Sequence, residues 1–137
     1  QTNYVVNALS KEELIFSPNG TYVDDYEQSW RVAGNASILD LKLTNEGHIQ
    51  YQDYPDALAR LHGALHSQQG RVIIVDAKPS YEFIEEHSHD HAGGGAHGSL
   101  HKVDSIVPMI VTGTNDLPPS NRLIDVKEWI LQLLGDA

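Results

Sequence analysis

Residues 85–101 read Glu-Glu-His-Ser-His-Asp-His-Ala-Gly-Gly-Gly-Ala-His-Gly-Ser-Leu-His, and they limit what this part of the chain can form. The three consecutive glycines at 93–95 disfavour both helix and strand, because glycine loses the most backbone freedom when it is ordered. The segment is therefore predicted to be a loop. It carries five of the eight histidines and three carboxylates. Neutral imidazoles and carboxylates are ligands of zinc and similar divalent cations.

Two apolar segments flank this loop and are predicted to be buried strands. Residues 70–76 read Gly-Arg-Val-Ile-Ile-Val-Asp, and residues 105–112 read Ser-Ile-Val-Pro-Met-Ile-Val-Thr. Polar loops that leave the ends of buried strands are where open α/β sheets usually place their sites. Asp76 ends the first predicted strand, so its carboxylate is a candidate metal ligand at that edge. Its simpler role is to accept hydrogen bonds from loop amides.

The histidines of the loop are candidate metal ligands. Alternate side chains of an extended segment share a face, so His87, His89 and His91 can converge on one ion. His97 is followed by Gly98, which lets the backbone approach a ligand closely. Zinc is the expected metal, although manganese accepts the same donors. The alternative is a solvated loop that binds metals only adventitiously.

The pattern outside the loop predicts an α/β fold, with α+β as the alternative. Residues 1–52 predict an antiparallel meander of short strands, with a hairpin turn at Pro18-Asn19-Gly20. Its later strands are predicted at 30–33, 37–43 and 48–51, with a turn at 44–47. Residues 53–137 predict the order helix, strand, loop, strand, helix. The first helix follows Pro55, and the last ends at Gly135. His62 and His66 share a face of the first helix, but without a Glu beside His62 they are predicted to be surface residues.

Length, charge and composition exclude several classes of protein. A chain of 137 residues forms one domain with a real core, and the charge of −10 opposes binding to nucleic acid or to an anionic membrane. The absence of cysteine excludes disulfides and zinc–thiolate sites. No apolar run approaches the roughly 20 residues that span a bilayer, and no signal-peptide pattern opens the chain. A cytoplasmic location is therefore expected.

Three segments together resemble a known family. They are Val-Ile-Ile-Val-Asp at 72–76, Ala-His-Gly-Ser-Leu at 96–100 and Ile-Val-Pro-Met-Ile-Val-Thr-Gly at 106–113. Their order and separation resemble the C-terminal part of the alkaline phosphatase superfamily, in the branch of type I phosphodiesterases and nucleotide pyrophosphatases. The resemblance covers residues 71–113 and extends to the last helix.

This resemblance implies a metal-dependent phosphoesterase acting on phosphate esters or nucleotides. It implies a sheet like that of alkaline phosphatase and two metal ions, commonly zinc, that activate a Ser or Thr nucleophile. His97 matches the downstream histidine ligand of the family. No Ser or Thr before Asp76 ends a buried strand with carboxylates nearby. The chain is therefore interpreted as a C-terminal fragment that needs the missing N-terminal part of the same protein and is inactive alone.

The chain departs from the family pattern after the first apolar segment. It reads Asp76-Ala77-Lys78 where the family has Asp-His-Gly. An ammonium group does not bind a metal, but Lys78 can contact phosphate as a point charge. One metal site is then altered or lost. Two alternatives stay open: a noncatalytic module that binds a metal ion, and a degenerate phosphatase-like scaffold that binds an anion or a partner.

Overall fold

The structure is a computed structural model that describes residues 2–8, 10–70, 72–87, 93–94 and 98–135. It divides into two compact units, Gln1–Ile106 and Val107–Ala137. The described part contains one five-stranded mixed sheet and three α-helices. The mixed α/β composition predicted from the sequence is thereby confirmed at the level of fold class.

The strands of the sheet in the first unit are β1 Tyr4–Asn7, β2 Glu13–Asp24, β3 Ser29–Gly34, β4 Leu41–Leu43 and β5 His48–Tyr51. Their order is β1-β2-β5-β4, with β3 also paired to β2. All neighbouring strands are antiparallel except β2 and β5, which are parallel. A short 3-10 helix, Ala36–Leu39, precedes β4.

The core of the first unit is drawn from the first half of the chain. Helix α1, Ala57–His66, buries Ala57, Leu58 and Leu61. These three residues lie on one face of the helix, as the helical spacing of apolar residues in the sequence predicts. The other buried apolar residues of the described chain come from the sheet and the 3-10 helix: Tyr4, Leu14, Phe16, Trp30, Leu39, Leu41 and Ile49.

The predicted hairpin at Pro18-Asn19-Gly20 is wrong, because these residues lie inside the single strand β2. Pro18 and Tyr22 are both paired with Trp30, so the residues between them form a bulge. The positive φ of Asn19, 62°, is the dihedral that a tight turn also needs. The sequence Pro-Asn-Gly therefore forms a bulge rather than a turn when one neighbouring strand pairs with the residues on both sides of it.

The predicted antiparallel meander is correct only in part. Strands β3 and β5 and the turn between β4 and β5 form where the sequence predicts them. However, β5 pairs with the end of β2 in parallel, with Val23 opposite His48 and Asp24 opposite Ile49. The predicted strand at 37–43 forms a 3-10 helix and the short β4 instead, with Asp40 between them at φ 49°.

The two apolar segments beside the histidine loop are not strands, contrary to prediction. Residues 72–78 and 106–112 have no regular secondary structure. Ile73 is 88% exposed and Ile110 is 85% exposed. Strand preference of Val and Ile reflects packing against neighbouring strands and burial, and no strand of the described chain pairs with either segment. The predicted alkaline-phosphatase-like sheet is accordingly not observed in the described residues.

Two further helices complete the described chain. Helix α2, Lys102–Ser105, belongs to the first unit, and helix α3, Leu123–Leu134, belongs to the second. Gly135 ends α3 with φ 77°, as the sequence predicts. No helix among the described residues has the length and apolar character needed to cross a membrane.

Candidate functional site

Only some of the predicted site residues belong to the part of the chain that the structure describes. His89, His91 and His97 lie outside the described residues. Asp76 and Lys78 are described, and both are exposed. The structure therefore describes the two flanks of the histidine-rich segment and how these flanks are held.

Asp76 joins the two flanks. Its Oδ1 accepts a hydrogen bond of 2.9 Å from the backbone N–H of Leu100, 24 residues further along the chain. A hydrogen bond from a backbone N–H to a carboxylate is charge-assisted, and it is therefore stronger than one between two neutral groups. The bond therefore brings together the two flanks of the histidine-rich segment. This is the simpler role that the sequence allows for Asp76, and it does not test Asp76 as a metal ligand.

Arg60 of helix α1 holds the same base from the side of the core. Its Nη1 donates to the carbonyl oxygen of Leu100 at 2.8 Å, and its Nη2 donates to that of Ser99 at 3.1 Å. The hydroxyl of Ser105 lies within 3.1–3.2 Å of the same two carbonyl oxygens and 2.9 Å from that of His101. The planar guanidinium suits two neighbouring acceptors, so this end of the loop is fixed to α1.

Asp53 anchors the residues that follow the loop. Its carbonyl oxygen accepts the N–H of Lys102 at 2.7 Å, and its Oδ1 lies 2.7 Å from the ammonium of Lys102. The ring of His101 stands edge-on to Tyr54, with Nε2 3.8 Å from Asp53 Oδ2. His101 Nδ1 accepts the N–H of Val103, which caps α2. The ring of His101 therefore has a structural role, because it caps α2 and packs against Tyr54.

The Asp53–Lys102 contact has a measurable consequence for protonation. The hydrogen bond from Lys102 lowers the pKa of the Asp53 carboxyl below 3.8 and raises the pKa of Lys102. Because the folded-state pKa of Asp53 is lowered, its contribution to stability is present above 3.8 and is lost as the pH falls through the lower value. We expect Lys102→Met to return the Asp53 pKa towards 3.8, as measured by NMR titration of the carboxyl carbon.

Lys127→Met is the matched control, because Lys127 contacts Glu128 in the second unit. It should leave the titration of Asp53 unchanged. An Asp53 midpoint that is the same in the parent and in Lys102→Met would show that this ion pair does not form in solution.

Lys78 lies beside Asp76 at an open cleft of about 410 Å³. The cleft is lined by Asp76, Ala77, Lys78, Tyr81, Glu82 and Phe83. All these residues come from one short stretch of chain, and the backbone N–H of Tyr81 donates to the Lys78 carbonyl oxygen at 2.9 Å. The lysine predicted to contact phosphate and the aspartate predicted to bind a metal ion thus both line this cleft.

Among the residues that the structure describes, no group of three or more histidine, aspartate and glutamate side chains is placed to hold a metal ion. His87, the first histidine of the loop, lies in an exposed turn. His48 bonds the Asp25 carboxylate at 2.9 Å through Nε2. A convergent set of three imidazoles is therefore a hypothesis about residues that lie outside the described ranges.

Sequence reasoning misses a buried polar cluster of the first unit, which is centred on Asp24. This carboxylate is 1% exposed and accepts hydrogen bonds from the side chains of Gln28, Trp30 and Tyr51. Burial, followed by the negative charge of Asp24, raises the pKa of the Tyr51 phenol. Nothing in the local sequence distinguishes Asp24 from Asp25, because the donors come from three separate positions. Arg60 and Asp53 are missed for the same reason.

The fold is that of a mixed α/β protein in which Asp76 and Arg60 hold Ser99 and Leu100, at the C-terminal flank of the histidine-rich segment. Comparisons of the chain with models of protein families, with curated proteins and with solved structures find no match.

Proposed function

We propose that this chain is part of a metal-dependent phosphoesterase of the phosphodiesterase type and is inactive alone. In this proposal His97, with Asp76, His89 and His91, supplies ligands to a divalent metal site, with zinc as the first choice and manganese as the second. The observation that carries it is the closure of the histidine-rich loop at its base by the Asp76–Leu100 hydrogen bond. A loop held at both ends loses less entropy when its side chains gather around an ion.

The chemistry of the donors supports a phosphate ester or nucleotide as substrate. Divalent ions neutralise phosphoryl oxygens and activate a nucleophile. Lys78 beside Asp76 would add a positive point charge for the phosphate. Asp76 Oδ2 accepts no hydrogen bond from the described residues, so the carboxylate can hold the loop with one oxygen and meet a cation with the other. The departure at 76–78 from the pattern it resembles implies that one of two metal positions is altered.

The exposed apolar segments support an incomplete site. Residues 72–75 and 106–110 flank the loop and expose Val, Ile and Met side chains to solvent. Strands of this composition are normally buried in a sheet. We propose that the N-terminal part of the same protein pairs with them and supplies the Ser or Thr nucleophile. A cytoplasmic location is also part of this proposal, and it rests on the sequence alone.

A noncatalytic module that binds a metal or an anion, or a scaffold, is the second candidate. One observation favours it: Asp76 already serves as a structural acceptor for the Leu100 amide. In that case the loop binds a cation, or Lys78 binds an anion or a partner, without any chemistry.

Zinc titration of the full chain, purified without an affinity tag at neutral pH, tests the metal site. We expect His97→Ala to bind one tight equivalent fewer than the parent, and the His89/His91→Ala pair to do the same. His48→Ala is the matched control, because His48 lies outside the loop and contacts Asp25. Unchanged stoichiometry in both loop variants would reject the assignment of these ligands.

Hydrolysis of a nitrophenyl phosphodiester separates the two candidates. The isolated chain should show no turnover, and the longer protein that includes the N-terminal part should show turnover that a chelator abolishes. Steady hydrolysis by the isolated chain that survives chelation would contradict the proposal. Metal binding without turnover by the longer protein would favour the noncatalytic module.

A further inference from the structure

Two histidines outside the loop form a pair on helix α1. His62 and His66 are one turn apart, and their imidazole rings lie 5.2 Å apart at an interplanar angle of 15°. Side chains at i and i+4 project from the same face of a helix. The spacing brings two metal-binding side chains together without any contribution from the histidine-rich loop.

The core of the first unit positions one ring of this pair. The ring of His62 stands edge-on to Tyr4 at 5.2 Å and to Trp30 at 6.1 Å. His66 is exposed, and neither imidazole makes a hydrogen bond to another described residue. His62 is therefore oriented in advance, so only the side chain of His66 has to be ordered when a metal binds, and the entropic cost is lower than for two mobile ligands.

We propose that His62 and His66 form a surface site that chelates a divalent transition-metal ion, Cu²⁺ most tightly and Zn²⁺ less so, with water completing the coordination. Imidazole suits both metals, and the order follows the general affinity series of divalent ions. The two rings are stacked face to face, so binding requires His66 to turn about its Cα–Cβ bond to another staggered rotamer. His62 keeps its packing against Tyr4 and Trp30.

The surroundings of His62 favour the form that binds metal. Only neutral imidazole offers a lone pair to a metal ion. Burial, followed by the neighbouring His66, lowers the pKa of His62, which favours the neutral ring. The second imidazole then binds intramolecularly, at an effective concentration set by one helical turn. A two-histidine site is therefore expected to bind roughly 100-fold more tightly than either histidine alone.

Trp30 is a built-in reporter of this site. It is 3% exposed, so free ions in solution cannot reach its indole, yet its ring lies 6.1 Å from that of His62. A Cu²⁺ ion bound to His62 would quench its fluorescence at short range. The chain has two tryptophans, so Trp129→Phe leaves Trp30 as the only indole.

The experiment titrates Cu²⁺ into the full chain carrying Trp129→Phe and follows the fluorescence of Trp30. We expect saturable quenching that persists when the loop histidines 87, 89, 91 and 97 are changed to alanine. His66→Gln should shift the midpoint to a roughly 100-fold higher Cu²⁺ concentration, because the chelate is lost. His66 is exposed, so this variant is expected to fold. His48→Gln is the matched control and should leave the midpoint unchanged.

Three outcomes would overturn the proposal. The first is quenching of His66→Gln at the same concentration as the parent. The second is quenching that disappears in the loop variant while it persists in His66→Gln, which would place the ion on the loop. The third is no saturable quenching in the parent. Circular dichroism of each variant shows whether helix and sheet are retained, and His66→Ala provides a second replacement if His66→Gln does not fold.

Discussion

Replacement of Asp24 by asparagine is expected to lower the free energy of unfolding by about 3 kcal/mol, because buried donors lose an acceptor at a cost of roughly 1–3 kcal/mol each. Oδ1 of Asp24 accepts the backbone N–H groups of Tyr26 and Gln28, each at 2.9 Å. Oδ2 accepts Gln28 Nε2 at 3.1 Å, Trp30 Nε1 at 2.8 Å and the Tyr51 hydroxyl at 2.9 Å.

The carboxylate is needed because both of its oxygens act only as acceptors. An asparagine has the same shape, but one of the two positions becomes an NH₂ group. If that group replaces Oδ2, the Trp30 indole meets a donor. The Tyr51 hydroxyl can reverse its role, and the Gln28 amide can flip only by losing its hydrogen bond to Asp56. If it replaces Oδ1, two backbone N–H groups meet a donor. Relief of the desolvation of a buried charge offsets part of this loss.

Asp25→Asn is the matched control for Asp24→Asn. Asp25 is the next residue, but its side chain is 45% exposed and contacts His48 at the surface. Surface pairs of this kind contribute about 1 kcal/mol or less, so the control should be close to the parent. Urea unfolding followed by the fluorescence of Trp30, in a Trp129→Phe background, measures both variants. If Asp24→Asn were as stable as Asp25→Asn, Asp24 would not be the centre of this part of the sheet.

Gly20→Ala is expected to destabilise the first unit by about 3 kcal/mol, at the upper end of the usual cost of overpacking. A Cβ atom at Gly20 would overlap the backbone nitrogen of Arg31 and the carbonyl carbon and oxygen of Trp30. These are backbone atoms of β3 and cannot turn aside as a flexible side chain can. The substitution therefore forces β2 and β3 apart beside the bulge.

Gly63→Ala is the same chemical change at a site where it should have the opposite effect. Gly63 lies in the middle of α1, and an added Cβ meets no atom within 4 Å. Alanine in a helix interior is favoured over glycine by about 0.5–1 kcal/mol, so this variant should be more stable than the parent. Urea unfolding of both variants under identical conditions measures the contrast. Two changes of equal sign would mean that the close approach of β3 to Gly20 is absent in solution.

Elements with purely local signals are predicted correctly from sequence. Helix α1 follows from the spacing of Ala57, Leu58 and Leu61, and the end of α3 follows from Gly135. The same local signals fail where they are ambiguous. Pro18-Asn19-Gly20 has the composition of a turn, but the bulge it forms depends on where β3 runs.

For the candidate site, the sequence predicts which residue types are present but not which distant residues they contact. The density of histidine and glycine at 85–101 identifies a polar loop, and Asp76 is recognisable as a residue able to bond a loop amide. The partners of that loop are not recognisable. Arg60 is 39 residues from Ser99 and 40 from Leu100, and no local pattern connects them. Asp53 reaches Lys102 across a similar separation.

Residue types and their periodicity are enough to set the mixed α/β composition, helix α1 and the chemical character of the histidine-rich segment. Tertiary packing decides the parallel pairing of β2 with β5, the donors around Asp24 and the closure of the loop by Asp76 and Arg60. It also leaves residues 72–75 exposed despite their strand-like composition. The reason is that periodicity records which face of an element is apolar, whereas hydrogen bonds between distant residues depend on which elements become neighbours.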